Sequence, residues 1–175
     1  MGISMRSYIG TAHVFGDNVD TDRIIAGKYT KTLDLSDLAK HVMEDIDPDF
    51  WEKVEEGVIL VAGNNFGTGS SREQAPLAIQ AAGVAAVVAN SFARIFFRNA
   101  INVGLPAVVV GEHEIKMGQQ IEVDIQKGSV KNVTTGQSYQ VTAMPDVMVR
   151  ILESGGLVNY LRENNEYVQP AETKS

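Results

Sequence analysis

Three wholly apolar runs occupy the middle of the chain: Val58–Ala62, Val84–Ala89 and 105–110. Between them lie stretches with apolar residues at helical spacing, 74–82 and 92–101. A strand that is apolar on both faces is buried on both faces, as parallel strands are when helices cover the sheet. The run β-α-β-α-β therefore predicts a parallel sheet with right-handed crossovers. Ligands of such sheets bind beyond the carboxyl ends of the strands.

Beyond the first of those ends stands Asn64-Asn65-Phe66-Gly67-Thr68-Gly69-Ser70-Ser71-Arg72-Glu73. Glycines let backbone approach a ligand, and a helix start offers free N–H groups and a positive dipole end. Arg72 can hold a carboxylate or phosphate through two parallel hydrogen bonds. The same residues admit a plainer reading, because Ser70-x-x-Glu73 fits a capping box that simply starts a helix. Pro76 suits a first helical turn, which moves the start toward Glu73. The lysine of a P-loop is missing, and Arg72 stands where the third glycine of a dinucleotide fingerprint belongs. Asn90-Ser91 follows the next strand, with Ser91 expected to open the second helix and line the same crevice.

Residues 7–15 read as a first strand. Asp17, Asp20 and Asp22 follow within six residues. They fail the EF-hand pattern and read either as a polar turn or as carboxylates that orient basic groups of a site. Residues 35–43 have helical spacing, with Asp34 or Ser36 as cap. The acidic segment 45–56 reads as a cover over the core. In the last third, 120–125, 130–133 and 138–142 read as an antiparallel meander. Helices are expected over 144–152 and 157–162, and a flexible tail over 169–175. One domain is expected over residues 1–168, in keeping with a 175-residue chain.

The net charge of −7 argues against a nucleic-acid surface. No apolar run approaches the ~18 residues of a membrane span. The N-terminus has no signal-peptide core, so a cytoplasmic chain is expected, and Met5 could be the natural start. The absence of cysteine excludes disulfides, thiol nucleophiles and thiolate metal sites. His13, His41 and His113 are far apart in sequence, so no metal site is expected in this chain.

Three stretches carry a family resemblance. They are Phe15-Gly16-Asp17-Asn18-Val19-Asp20-Thr21-Asp22, the run Asn65 to Glu73, and Ser91-Phe92-Ala93-Arg94-Ile95-Phe96-Phe97-Arg98-Asn99-Ala100-Ile101-Asn102-Val103-Gly104-Leu105-Pro106. In this order they resemble the swivel domain of the aconitase family, and most closely the free-standing small subunits of the isopropylmalate dehydratase type. The resemblance implies an α/β swivel-like domain with the parallel core, the C-terminal meander and short helices. It implies an iron–sulfur large partner subunit, in a heterodimer or heterotetramer, that holds a [4Fe–4S] cluster, with no cofactor in this chain. It implies a small hydroxy-dicarboxylate substrate, dehydrated to an alkene and rehydrated with the other regiochemistry, as in leucine biosynthesis. By the same resemblance Ser70 is the catalytic base, Ser71 and Arg72 bind substrate carboxylate, and the loop after Tyr29, with Lys31 and Thr32, faces the variable group. Asp20, Asp22, Gly67 and Gly69 support the site.

Two positions depart from the family pattern. Thr68 stands where many relatives have cysteine, with little expected consequence. Thr30-Lys31-Thr32 replaces apolar residues that would suit an isopropyl group. Lys31 either pairs with a third carboxylate, as in homoaconitase, or keeps its stem on apolar surface and its charge in water. Isopropylmalate is the first expectation, homoaconitate the second and a methyl-substituted malate the third. A non-catalytic anion-binding module and, more remotely, a dehydrogenase are the readings of other classes.

Overall fold

The computed structural model describes residues 7–32, 34–54 and 57–164. Seven strands form one sheet in the order β4-β3-β2-β1-β5-β6-β7. They are β1 (Ser7–Val14), β2 (Val58–Ala62), β3 (Val84–Ala89), β4 (Ala107–Val109), β5 (Gln120–Asp124), β6 (Ser129–Asn132) and β7 (Ser138–Gln140). The first four are parallel, and β5, β6 and β7 run antiparallel. Strand β1 joins the two halves. Its first residues pair with β5 and its last three with β2.

Burial follows the pattern read from composition. Every residue of β2 is buried, while β5 alternates between buried and partly exposed. The parallel half is covered by helices and the meander has one wetter face. The crossovers carry α1 (Thr21–Ile24), α2 (Leu35–His41), α3 (Phe50–Lys53), α4 (Gln74–Ala81) and α5 (Arg94–Val103). Two further helices, α6 (Asp146–Glu153) and α7 (Leu157–Glu163), follow the meander, and α6 packs on α5. Asp34 caps α2 by accepting from the Ser36 N–H at 2.9 Å.

Three local expectations need correction. Segment 45–56 is more than a cover: Phe50 is fully buried, edge-on to Phe15 at 5.5 Å and to His13 at 5.7 Å. Its acidic neighbours masked a core aromatic on a short helix. Ser91 does not open the second helix, which starts at Arg94 with Ala93 as N-cap. Residues 91–93 pair instead with the glycine loop. The capping box at Ser70 does not form, because α4 starts at Gln74 and its N-cap, Glu73, makes no side-chain cap bond. Pro76 then sits in the first turn, where its missing N–H costs nothing. The expected tail, 169–175, lies outside the described residues.

Candidate functional site

Strands β1, β2 and β3 are neighbours and parallel, so the segments leaving their carboxyl ends lie side by side. Hydrogen bonds stitch the three together. The Gly67 N–H donates to the Val19 carbonyl and the Thr21 N–H to the Thr68 carbonyl, both at 2.8 Å. Asp17 accepts from the Asn64 N–H at 2.6 Å. On the other side the Asn65 N–H donates to Ser91 Oγ at 2.8 Å, and the Ala93 N–H to the Phe66 carbonyl at 2.9 Å. Phe66 is fully buried beneath the loop, edge-on to Phe96 at 5.3 Å. Gly67 has φ of +86°, and a Cβ there would overlap the Phe96 side chain. Both the backbone conformation and the close approach require glycine.

The loop rims a cleft of about 420 Å³. Ser70, Ser71 and Arg72 line it from one side, and Arg94, Phe96 and Asn99 of α5 from the other. Ser70 and Ser71 are exposed, and among the described residues no hydrogen bond engages either hydroxyl. The backbone of Ser70 is fixed, because buried Thr21 donates its Oγ1 hydrogen to the Ser70 carbonyl at 2.8 Å. Among the described residues the Arg72 guanidinium is hydrogen-bonded through Nη1 alone. Its Nη1 donates to Asp22 Oδ1 at 2.7 Å and to the Ile25 carbonyl at 3.0 Å. These two bonds use both Nη1 hydrogens. The Nε and Nη2 edge keeps two parallel N–H vectors, the fork that matches a carboxylate.

Gly67, Gly69, Ser70, Ser71 and Arg72 thus meet at one cleft. Asp22 stands behind Arg72, and Asp20 caps α1 by accepting from the Arg23 N–H at 2.8 Å. Lys31 and Thr32 line a separate hollow with Lys28, Tyr29, Asp37 and His41. The two regions touch through backbone. A Cβ at Gly27 would stand 3.2 Å from Arg72 Nη2, and Gln74 Nε2 donates to the Thr30 carbonyl at 3.4 Å.

Residues 48–113, from just before α3 to just past β4, match the Aconitase C-terminal domain family. Over 161 residues the chain is 56% identical to 3-isopropylmalate dehydratase small subunit 1 of Methanopyrus kandleri, which covers 90% of this chain and 95% of that one. The chain belongs to the aconitase family, among its dehydratase small subunits. A crystal structure of 3-isopropylmalate dehydratase from Methanocaldococcus jannaschii has the same fold, with a TM-score of 0.87 at 46% identity over 95% of this chain and 99% of that one. The methanogen homoaconitase small subunit of Methanothermobacter thermautotrophicus is 53% identical over 146 residues, 83% of this chain and 85% of that one.

Within this aconitase-family domain, two residues of the cleft carry signals that the motif reading did not use. Thr21 lies between two aspartates and is 2% exposed, a buried hydroxyl that must have a partner. Arg94 is the first residue of α5, in a first turn that holds no acid. A cation at that end opposes the helix dipole, and a broken local rule of this kind marks a candidate functional position. The family resemblance also raises the question of an iron–sulfur cluster. There is no cysteine in the chain, and among the described residues no three His, Asp or Glu side chains are grouped as metal ligands. The described residues do not fit a cluster as its ligands. No described helix is long and apolar enough to cross a membrane.

Proposed function

We propose that this chain is the small subunit of a two-subunit hydro-lyase that interconverts 2-isopropylmalate and 3-isopropylmalate. The observation that carries the reading is the make-up of the cleft: two exposed, unengaged serine hydroxyls beside a guanidinium with one free edge. Ser70, as an alkoxide, takes the proton from the carbon alpha to a carboxylate. The electron pair of that C–H bond becomes the π bond of the alkene as the C–O bond of the neighbouring carbon breaks and its pair leaves with the hydroxide. That hydroxide and the proton taken by Ser70 together make up the one water lost. Water then adds back with proton and hydroxyl exchanged between the two carbons. Arg72 and the Ser71 hydroxyl hold a carboxylate, so the hydrogen to be removed faces Ser70. Arg72 and Arg94 are the two cations of the cleft that favour the anionic form of Ser70. A large partner subunit closes over the exposed serines, and the resemblance expects a [4Fe–4S] cluster there.

The homoaconitase reading has its own support in Lys31, whose charge suits a third carboxylate, and in the 53% identity to a homoaconitase small subunit. Lys31 is exposed, which favours a solvated charge and keeps isopropylmalate first.

The test is to mix the chain anaerobically with a candidate large subunit and follow alkene absorbance with isopropylmalate, homocitrate and methylmalates. Activity only in the mixture and highest with isopropylmalate is expected. Ser70→Ala is expected to lower kcat by about 1,000-fold, in the range of a lost general base, with KM little changed. Preference for homocitrate would move the substrate to the second reading. Turnover unaffected by Ser70→Ala would overturn the assignment of the base.

A further inference from the structure

The loop that carries Lys31 and Thr32 is anchored by side chains outside all three family motifs. Tyr29, which ends the short 3₁₀ turn Gly27–Tyr29, lies flat on the His41 ring, with centroids 3.7 Å apart and planes 3° from parallel. The Tyr29 hydroxyl donates to Glu44 Oε2 at 3.0 Å, and His41 Nδ1 stands 2.8 Å from Glu44 Oε1. A carboxylate accepts only, so Nδ1 carries the hydrogen of the second bond. One carboxylate therefore receives both rings and keeps them stacked. The Lys28 ammonium lies 5.2 Å from the centroid of the Tyr29 ring. Across the loop, Thr30 Oγ1 donates to the Gly27 carbonyl at 2.7 Å and the Thr30 carbonyl accepts from Gln74 of α4.

We propose that Tyr29, His41 and Glu44 form a positioning clamp that fixes the 27–32 loop and so sets how Lys31 and Thr32 meet the variable group of the substrate. The inference rests on the small-subunit reading above. Its physical content is division of labour across the loop. At Gly27 the loop packs beside Arg72, and at Thr30 it is bonded to Gln74 of α4, so it adjoins the carboxylate clamp. Between those points Tyr29 is tied to Glu44, which follows α2 and lines neither hollow. Discrimination between alkyl groups is worth only about 10- to 200-fold, so a loop that samples several poses loses much of it. Glu44 acts through Tyr29 and is a positioning residue.

The test uses the assembled two-subunit enzyme and compares kcat/KM for isopropylmalate and for 2-methylmalate. Glu44→Ala is expected to lower the ratio by about tenfold, chiefly through KM for isopropylmalate. Glu44→Gln restores most of the ratio, because an amide in either orientation can bond both rings. Tyr29→Phe keeps the stack, loses one bond and is expected to give an intermediate ratio even if Glu44→Ala fails to fold. An active wild type whose ratio stays the same in Glu44→Ala and Tyr29→Phe, with both activities falling together, overturns the clamp alone. A wild-type assembly inert toward every hydroxy-diacid offered overturns the functional reading, and the clamp's role with it.

Discussion

Arg72 reaches Asp22 with one nitrogen, 2.7 Å from Nη1 to Oδ1, across 50 positions of sequence. The contact turns the guanidinium so that its Nε and Nη2 edge is left for a ligand. Asp22 is 68% exposed on its side chain, so the pair contributes little to folding. Asp22→Ala is expected to raise KM about tenfold and to change unfolding free energy by under ~0.5 kcal/mol. Steady-state kinetics of the assembled enzyme and urea unfolding of the chain check the two halves. Arg72→Lys, which cannot form the planar fork, is expected to weaken binding at least as much.

Thr21 connects the β1 loop to the backbone of Ser70. Thr21→Val keeps the shape and removes the donor to a part-buried carbonyl. The expected cost is about 1 kcal/mol of stability, with a larger proportional loss of kcat, because Ser70 shifts. Thr21→Ser keeps the hydroxyl and should keep the rate. Unfolding curves paired with turnover separate a displaced base from a loosened fold.

Gly67→Ala puts a methyl group against Phe96 at a φ of +86°. Strained backbone and overpacking act together, and a loss of about 2–4 kcal/mol is expected. Chemical denaturation measures it, and near-ultraviolet circular dichroism reports the displaced phenylalanine cluster.

The His41 and Tyr29 bonds hold the Glu44 carboxyl below the usual glutamate range, with His41 the larger cause and Lys28 adding a smaller electrostatic contribution. A folded value below the unfolded one means that the ionised form stabilises the fold. That contribution is complete above the ordinary value of ~4.3 and is lost as pH falls through the lower folded value. The stability gap between wild type and Glu44→Gln is therefore expected to be present at about pH 6 and to close as the medium is acidified below about pH 4. A gap that widened toward acid would show that the carboxyl is instead stabilised in its protonated form.

How far the sequence could be read differs by element. Val58–Ala62 and Val84–Ala89 were legible to the residue, because a strand buried on both faces writes an unbroken apolar run. Ser91 misled because a serine before an apolar stretch looks like a cap, whereas its Oγ and carbonyl serve the neighbouring loop. Phe50 was hidden for a similar reason, since an acidic segment says nothing of one aromatic turned inward. The glycine loop announced its chemistry through Ser70, Ser71 and Arg72. Asp22 was legible as a carboxylate that orients a basic group, but that its partner is Arg72, and that Thr21 bonds to Ser70, could not be read, because adjacency of β1 and β2 is a property of the sheet. The stacking of Tyr29 on His41 had no sequence signal at all.

Among the described residues, strand β1 is the earliest in sequence and the one at the middle of the sheet. Its amino-terminal half has its partner in β5, with Ser7 opposite Asp124 and Thr11 opposite Gln120. A nascent chain that has completed the parallel half still carries an open, pairing-competent edge at its centre. Closure waits until β5 has been synthesised. The interval before closure is when the chain is most exposed to self-association.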